Sequence, residues 1–232
     1  MDKVNLFSQI LLSDENINDI DLPSVTSSID NLYPDFEHKI WDKDSLRDFI
    51  KYEFDKEVLD TYDALQPYAY KADLARYCIL SKLGGWYSDI NNEMIKNVLP
   101  DETTDMIIFR DMPKSSNSSW AVQVSLIYSK PNNPVFDIAI NKVVQNAKMR
   151  YYGITPLCPT GPTVFGQAIA ITGDISRYRI GDFLSNGFNL FSLSDGSVIA
   201  KYKSFSGGNV GIKGTNNYND FWRDKNVYGE LN

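Results

Sequence analysis

Lys71-Ala72-Asp73-Leu74-Ala75-Arg76-Tyr77-Cys78-Ile79-Leu80-Ser81-Lys82-Leu83-Gly84-Gly85-Trp86-Tyr87-Ser88-Asp89-Ile90-Asn91 reads as a helix, a break and a strand. Asp73 and Arg76 stand three apart, so a helix makes them neighbours on one face. Leu74, Tyr77, Cys78, Ile79, Leu80 and Leu83 surround them with apolar residues, the pattern of a buried helix. An Asp and an Arg in such surroundings need partners, because an unpaired charge away from water is costly. Gly84 is the expected helix stop. From Asp73 to Leu83 a helix advances roughly 15 Å at about 1.5 Å per residue. From Gly85 to Asp89 a strand covers roughly 13 Å at about 3.3 Å per residue. A strand that doubles back along the helix therefore brings Asp89 level with Asp73 and Arg76. The expectation is a polar site of Asp73, Arg76, Asp89 and Asn91 inside an otherwise apolar segment.

Outward from this stretch, the pattern alternates strand and helix. Val4 to Leu12 reads as a buried strand, Pro23 to Tyr33 as a helix, and Phe36 to Trp41 as a second strand. Helices are expected from Asp42 to Phe54 and from Lys56 to Leu65, with Pro67 ahead of the signature helix. Met106 to Phe109 and Trp120 to Tyr128 read as strands, Pro134 to Met149 as an amphipathic helix, and Thr160-Gly161-Pro162 as the start of another. Phe188 to Leu193 and Val198 to Tyr202 read as strands around the turn Ser194-Asp195-Gly196. This order predicts an α/β nucleotide-binding architecture. No composition shift marks a domain boundary, so residues 1–232 are expected to form one domain.

Composition narrows the function. The 232 residues are 43% hydrophobic and carry a net charge of −7, which argues against a nucleic-acid partner. No apolar run is long enough for a transmembrane helix. Met1-Asp2-Lys3-Val4-Asn5 lacks the basic start of a signal peptide, and two cysteines make no disulfide framework, so a cytoplasmic setting is expected. His38, the only histidine, is expected to be structural. There is no Gly-x-Ser-x-Gly elbow, Walker loop, His-Glu-x-x-His or Cys-x-x-Cys.

At Asp73-x-x-Arg76 and Gly84-Gly85-Trp86-Tyr87-Ser88-Asp89-Ile90-Asn91 the sequence resembles the DXD region of retaining GT-A glycosyltransferases, specifically glycosyltransferase family 32. The catalytic domains of large clostridial glucosylating toxins are more distantly similar. The family pattern runs Asp-x-x-Arg, a helix, then Gly-Gly-x-Tyr-x-Asp-x-Asp, and Asn91 departs from it at the second acid. The resemblance implies a GT-A-like, Rossmann-type mixed sheet flanked by helices. It implies transfer of a hexosyl group, with retention, from a nucleotide sugar (a UDP- or GDP-hexose) to a glycan, a lipid-linked glycan or another hydroxyl acceptor. It also implies a setting in bacterial surface-polysaccharide synthesis and peripheral contact with a membrane.

By carry-over, Asp73, Arg76 and Asp89 are the catalytic candidates. Asp73 meets the sugar hydroxyls, Arg76 the donor sugar or phosphate through its planar fork, and Tyr87 the donor. Asp89 and Asn91 are the expected ligands of Mn²⁺ or Mg²⁺, with Glu93 a substitute for the missing acid. Trp222 is expected either to close over the pyrophosphate from a C-terminal lid spanning residues 203–232 or to pack against the domain. Asn209, Asn216, Asn217 and Asn219 are the tail's candidates for the third metal ligand, and Asp111 and Gln123 are expected on the acceptor side. The rival reading is a catalytically degenerate module that binds nucleotide sugar or glycan without turnover. Asn91 and the lack of a histidine after residue 38 speak for it.

Overall fold

The computed structural model describes residues 4–14, 22–112, 120–185, 189–202 and 217–231, with the side chains of 22–25 and 202 outside the description. In chain order the elements are β1 (Leu6–Ile10), α1 (Leu22–Leu32), β2 (Glu37–Trp41), α2 (Lys43–Glu53), α3 (Lys56–Ala64), α4 (Tyr68–Lys82), β3 (Gly85–Ser88) and β4 (Asn92–Met94). They continue with β5 (Met106–Arg110), β6 (Val122–Ser129), α5 (Pro134–Lys148), α6 (Pro162–Thr172), β7 (Tyr178–Ser185), β8 (Asn189–Ser192), β9 (Val198–Tyr202) and α7 (Tyr218–Arg223). The expected mixed α/β sheet flanked by helices is what forms. Three elements were not anticipated: β4, β7 and α7.

Local chemistry explains the helix boundaries. The Asp42 side chain accepts from the Ser45 backbone N–H while the Ser45 hydroxyl accepts from the Asp42 N–H, a reciprocal cap at the start of α2. Asp55 accepts from the Val58 N–H and starts α3. α4 has its C-cap at Leu83, and Gly84 (φ 64°) and Gly85 (φ 84°) take the left-handed turn that reverses the chain. A Cβ on Gly85 would lie 2.4 Å from the Leu6 carbonyl oxygen, so glycine here lets β3 lie directly against β1.

The sheet order is β2-β1-β3-β6-β5-β7-β8-β9-β4. β1 is parallel to β2 and β3, β5 is parallel to β7, and the remaining pairs are antiparallel. β3 and β4 are consecutive in sequence but third and ninth across the sheet. Six strand spacings in a flat sheet would separate them by about 29 Å. The link of Asp89, Ile90 and Asn91 spans at most about 15 Å over its four Cα steps. The sheet must therefore curl until its far edge returns to β3, and Asp89–Asn91 sits at that closure.

Two cores result. Outside the curl, α2 to α6 pack Leu46, Ile50, Leu74, Ile79, Phe136, Val143 and Phe165 on the sheet. Inside it, Phe7, Trp86, Met94, Phe109, Leu126, Phe191 and Ile199 face one another, capped by Ile29 and Tyr33. Trp41 of β2 belongs to the outer core, while His38 of β2 packs edge-on against Phe7 of the inner one, so β2 uses both faces. Among the described residues no helix is long and apolar enough to cross a membrane.

Candidate active site

The helix-and-return geometry brings Asp73, Arg76 and Asp89 together. Arg76 Nη2 lies 3.2 Å from Asp73 Oδ1, and Nη1 lies 3.2 Å from Asp89 Oδ1. The same guanidinium donates to the Val124 carbonyl at 2.7 Å and, through Nε, to the Ala72 carbonyl at 3.1 Å. Its carbon sits 4.8 Å from the centre of the Tyr87 ring, and the Tyr87 hydroxyl donates to Asp89 Oδ1 at 2.7 Å. Arg76, expected to meet the donor sugar or phosphate, is here held within the protein. Nε, Nη1 and Nη2 are all engaged by protein groups, because two carboxylates this close repel unless a cation lies between them.

Asp73 is held from the other side as well. The Thr160 hydroxyl donates to Asp73 Oδ2 at 2.7 Å, and Gly161 leaves the carboxylate room, since a Cβ there would sit 3.1 Å from that oxygen. The Tyr77 hydroxyl fixes the Thr160 carbonyl at 2.9 Å. Burial lifts the Asp73 carboxyl to about 6, opposed by the Arg76 charge and the Thr160 hydrogen bond. Burial works against the charge on Arg76, but Asp89, with Tyr87 and Asp73, keeps it protonated far above neutrality. Burial also pushes the Tyr87 phenol well up, so it acts as a neutral donor.

Asp73, Arg76 and Asp89 line a cavity of about 540 Å³, with Tyr87, Tyr77 and Thr160 behind them. Its lining includes one group held together around Tyr70, with Pro156 and Tyr218, and another around Asp111, with Met112 and Gln123. Tyr70 donates to the Pro156 carbonyl at 2.5 Å and packs 5.9 Å from the Tyr218 ring, which ties α7 to the start of α4. Burial raises the Asp111 carboxyl from its ordinary value, opposed by the hydrogen bond from the Met112 N–H. Thr160, Tyr70 and Tyr218 were not singled out from the sequence. Thr160-Gly161-Pro162 was the one available signal, read only as a helix start.

The Asp89 loop is pinned from several directions. The Asp89 N–H donates to the Ser125 carbonyl at 2.8 Å, and the Asn92 N–H returns to the Asp89 carbonyl at 3.0 Å. Gln9 Nε2 reaches the same carbonyl at 3.4 Å, while its Oε1 lies 3.0 Å from His38 Nε2 and His38 Nδ1 lies 2.6 Å from Asp30. His38 is thus bound into the scaffold behind the site.

Asn91 lies outside the cavity lining, but its Oδ1 is buried without a hydrogen-bond partner, as is Oδ1 of Asn92. A buried amide oxygen two residues from a carboxylate suits a hard divalent cation, which takes oxygen ligands. Asp89 Oδ1 is committed to Arg76 and Tyr87, which leaves Oδ2 for that purpose. Among the described residues no three His, Cys, Asp or Glu side chains come together as a metal group. Glu93, the expected substitute for the missing acid, is engaged elsewhere in this structure. It stands in β4, 3.4 Å from Lys201 on β9, because strand alternation turns it away from the loop.

Trp222 takes the packed one of its two expected positions and is not among the residues lining the cavity. Its indole N–H donates to the Tyr152 carbonyl at 2.7 Å and its ring packs on the outer core, while its own helix presents Tyr218 and Asn219 to the cavity. The rest of the expected lid, residues 203–216, lies outside the described residues, as do Asn209 and Asn216. Asn217 caps α7 by accepting from the Asn219 N–H.

Residues 18–118 match the family described as the glycosyltransferase sugar-binding region containing the DXD motif. An uncharacterized glycosyltransferase of Acanthamoeba polyphaga mimivirus is 38% identical over 102 residues, 44% of this chain and 40% of that one. Inositol phosphoceramide mannosyltransferase 2 of Schizosaccharomyces pombe is 27% identical over 133 residues, covering 57% of this chain and 36% of that one. Mannosyl phosphorylinositol ceramide synthase CSH1 of Saccharomyces cerevisiae is 25% identical across 72% of this chain and 45% of its own length. The chain spans less than half the length of these relatives. Among solved structures, the PaToxG glycosyltransferase superposes with a TM-score of 0.56 at 16% identity, covering 74% of this chain and 70% of that one. The resemblance of the signature to DXD-containing glycosyltransferases is therefore borne out, and the fold is similar to that of the PaToxG glycosyltransferase.

Proposed function

We propose that this chain transfers a hexosyl group from a nucleotide sugar to an acceptor hydroxyl, with retention. The observation that carries the reading is the Asp73–Arg76–Asp89 cluster, backed by Tyr87, that lines a cavity large enough for a hexose and its diphosphate. Asp73, ionised above about pH 6 and oriented by Thr160, accepts hydrogen bonds from the donor hexose hydroxyls. Arg76 holds the Asp73 and Asp89 carboxylates in register and offers its positive charge to the cavity. Asp89 Oδ2 and Asn91 Oδ1 are the oxygens that would hold Mn²⁺ or Mg²⁺. When bound, such a cation neutralises the diphosphate as it departs.

In the transfer, the bond between the sugar C1 and the β-phosphate oxygen breaks, and its electron pair leaves with the phosphate. The acceptor oxygen bonds to C1 on the same face and gives its proton to the departing phosphate oxygen. Asp73 and Asp89 are both bound to Arg76, so neither is offered as a covalent nucleophile.

For the setting, the names of the fungal relatives favour a mannosyl donor and an inositol-bearing lipid acceptor over bacterial surface polysaccharide. The test is a panel of nucleotide sugars with Mn²⁺ or Mg²⁺, read first by thermal shift and then by nucleotide release. A ligand that binds only the native state raises its melting temperature. Stabilisation by no nucleotide sugar would overturn the reading. Stabilisation with no donor hydrolysis or transfer would favour the degenerate binding module, which Asn91 at the second acid position supports.

A further inference from the structure

The cavity lining around Asp111 is chemically unlike the rest. Asp111 follows the last residue of β5, and Gln123 of β6 pairs with Phe109, two positions before it. Gln123 is 8% exposed, and its Oε1 accepts from the Val124 and Ser125 N–H groups at 2.8 and 3.1 Å. That fixes the orientation of its amide and turns Nε2 toward Asp111 Oδ1, at a long 3.5 Å. At that distance the amide hydrogens remain usable by a ligand. Met112 and Phe183 add apolar surface to the lining.

The charge here is acidic. Arg76 is the only base among the described lining residues, and its nitrogens are already engaged by Asp73, Asp89, Val124 and Ala72. Among the described lining residues, a phosphate or carboxylate would meet Asp111 with no free cation to offset it. A hydroxyl would instead donate to Asp111, while a neighbouring oxygen accepts from Gln123 Nε2. Two adjacent hydroxyls on one ring satisfy both groups at once, and the ring's C–H face packs on Met112 and Phe183.

Resting on the transferase reading above, we infer that Asp111 and Gln123 form the acceptor subsite and that it takes an uncharged vicinal diol on a polyol ring, a cyclitol or sugar. Any phosphate carried by the acceptor lies outside this subsite. Burial of Asp111 favours the subsite in a second way, since a partly desolvated carboxylate gains more from a donated hydroxyl than one in water does.

Two variants separate binding from folding. Asp111→Asn keeps the shape and removes the charge. Gln123→Glu keeps the Oε1 bonds to the backbone but replaces the Nε2 donor with an acceptor that repels Asp111. With a turned-over nucleotide sugar plus myo-inositol or methyl α-mannoside, the share of turnovers ending on the polyol instead of water should fall about tenfold in each. Donor affinity by calorimetry and the melting temperature are measured beside it. Ligand-detected NMR with the same two polyols should show binding to the wild type that both variants lose, and inorganic phosphate should not compete. Unchanged partitioning and unchanged polyol binding in both variants would overturn the subsite while leaving the transferase reading intact. Polyol binding that is lost in the variants, in a protein that turns over no donor, would keep the subsite and overturn the transferase reading. Absence of polyol binding and transfer in the wild type would also overturn the subsite.

Discussion

Arg76 and Asp89, thirteen positions apart in sequence, meet at 3.2 Å through Nη1 and Oδ1, with Asp73 at the same distance from Nη2. One guanidinium thus fixes a helix to the end of the strand that returns along it. The arrangement needs a planar cation with several N–H directions, because Val124 and Ala72 carbonyls are bound as well. Arg76→Lys should therefore fail almost as completely as Arg76→Ala. An ammonium cannot span two carboxylates and two carbonyls. Removing one member of a buried ion pair typically costs about 3–5 kcal/mol. Melting temperature and kcat/KM of the two variants check this, and near-normal values for Arg76→Lys would show that charge alone suffices.

Thr160→Val should weaken donor use without loss of fold. The substitution deletes the hydroxyl that donates to Asp73 and keeps the volume. A hydrogen bond to a charged group contributes about 1.5–3 kcal/mol, so kcat/KM should fall roughly 10- to 100-fold. The acid limb of the pH profile should also move toward neutrality, because the bond stabilises the ionised carboxylate. An unmoved limb would mean that Asp73 does not control it.

The pH dependence of stability and of activity should run in opposite directions around Asp73. Its carboxyl titrates near 6 in the fold and at 3.8 by ordinary chemistry. Between those values the folded state holds the proton more tightly, so this group's contribution to stability is full below 3.8. It is lost as the pH rises through about 6. The difference of about two units corresponds to at most roughly 3 kcal/mol. Donor binding, which needs the ionised form, should rise over the same range. Melts and activities of wild type and Asp73→Asn from pH 4 to 7 test it. The variant should lack both slopes.

Asn91→Asp should bind divalent cations more tightly than the wild type, and Asp89→Ala should lose cation-dependent nucleotide binding. Asn91 Oδ1 is already buried without a partner two residues from Asp89, so a carboxylate there adds charge to oxygen that is in place. Isothermal titration with Mn²⁺ and nucleoside diphosphate reads both. An unaltered cation affinity in Asn91→Asp would remove Asn91 from the ligand set.

The meeting of Asp73, Arg76 and Asp89 was legible because it depends on local lengths alone. A helix and a strand of matched rise, joined by two glycines, leave one place for Asp89 to go. What the sequence hid depends on distant segments. Asn92-Glu93-Met94 has no strand signature of its own and becomes β4 only because the curled sheet offers β9 as a partner. Tyr178–Ser185 alternates too weakly to be read as β7, since both its neighbours β5 and β8 supply the order. Thr160 reaches Asp73 across 87 positions, a separation that no spacing rule covers. Trp222 drew attention as the large aromatic of a Gly- and Asn-rich tail, yet helical periodicity gave the cavity to Tyr218 and Asn219 instead.

That last substitution of roles gives a final prediction. Trp222 and Tyr218 share one short helix but face different environments. Trp222 is anchored to Tyr152 and to the outer core, with the Lys225 ammonium 4.8 Å over its ring. Tyr218 packs on Tyr70 at the cavity wall. Trp222→Ala should thus act through stability, by about 3 kcal/mol or more for a buried aromatic truncated to a methyl, discounted for its partial exposure. Tyr218→Ala should leave the melt closer to wild type and reduce transfer, because it opens the wall over the reacting groups and admits water. Thermal melts beside transfer-to-hydrolysis ratios for both variants distinguish the two. If Trp222→Ala melts normally yet shifts turnover to hydrolysis, the tryptophan closes the site after all, and the contact with Tyr152 must open when donor binds.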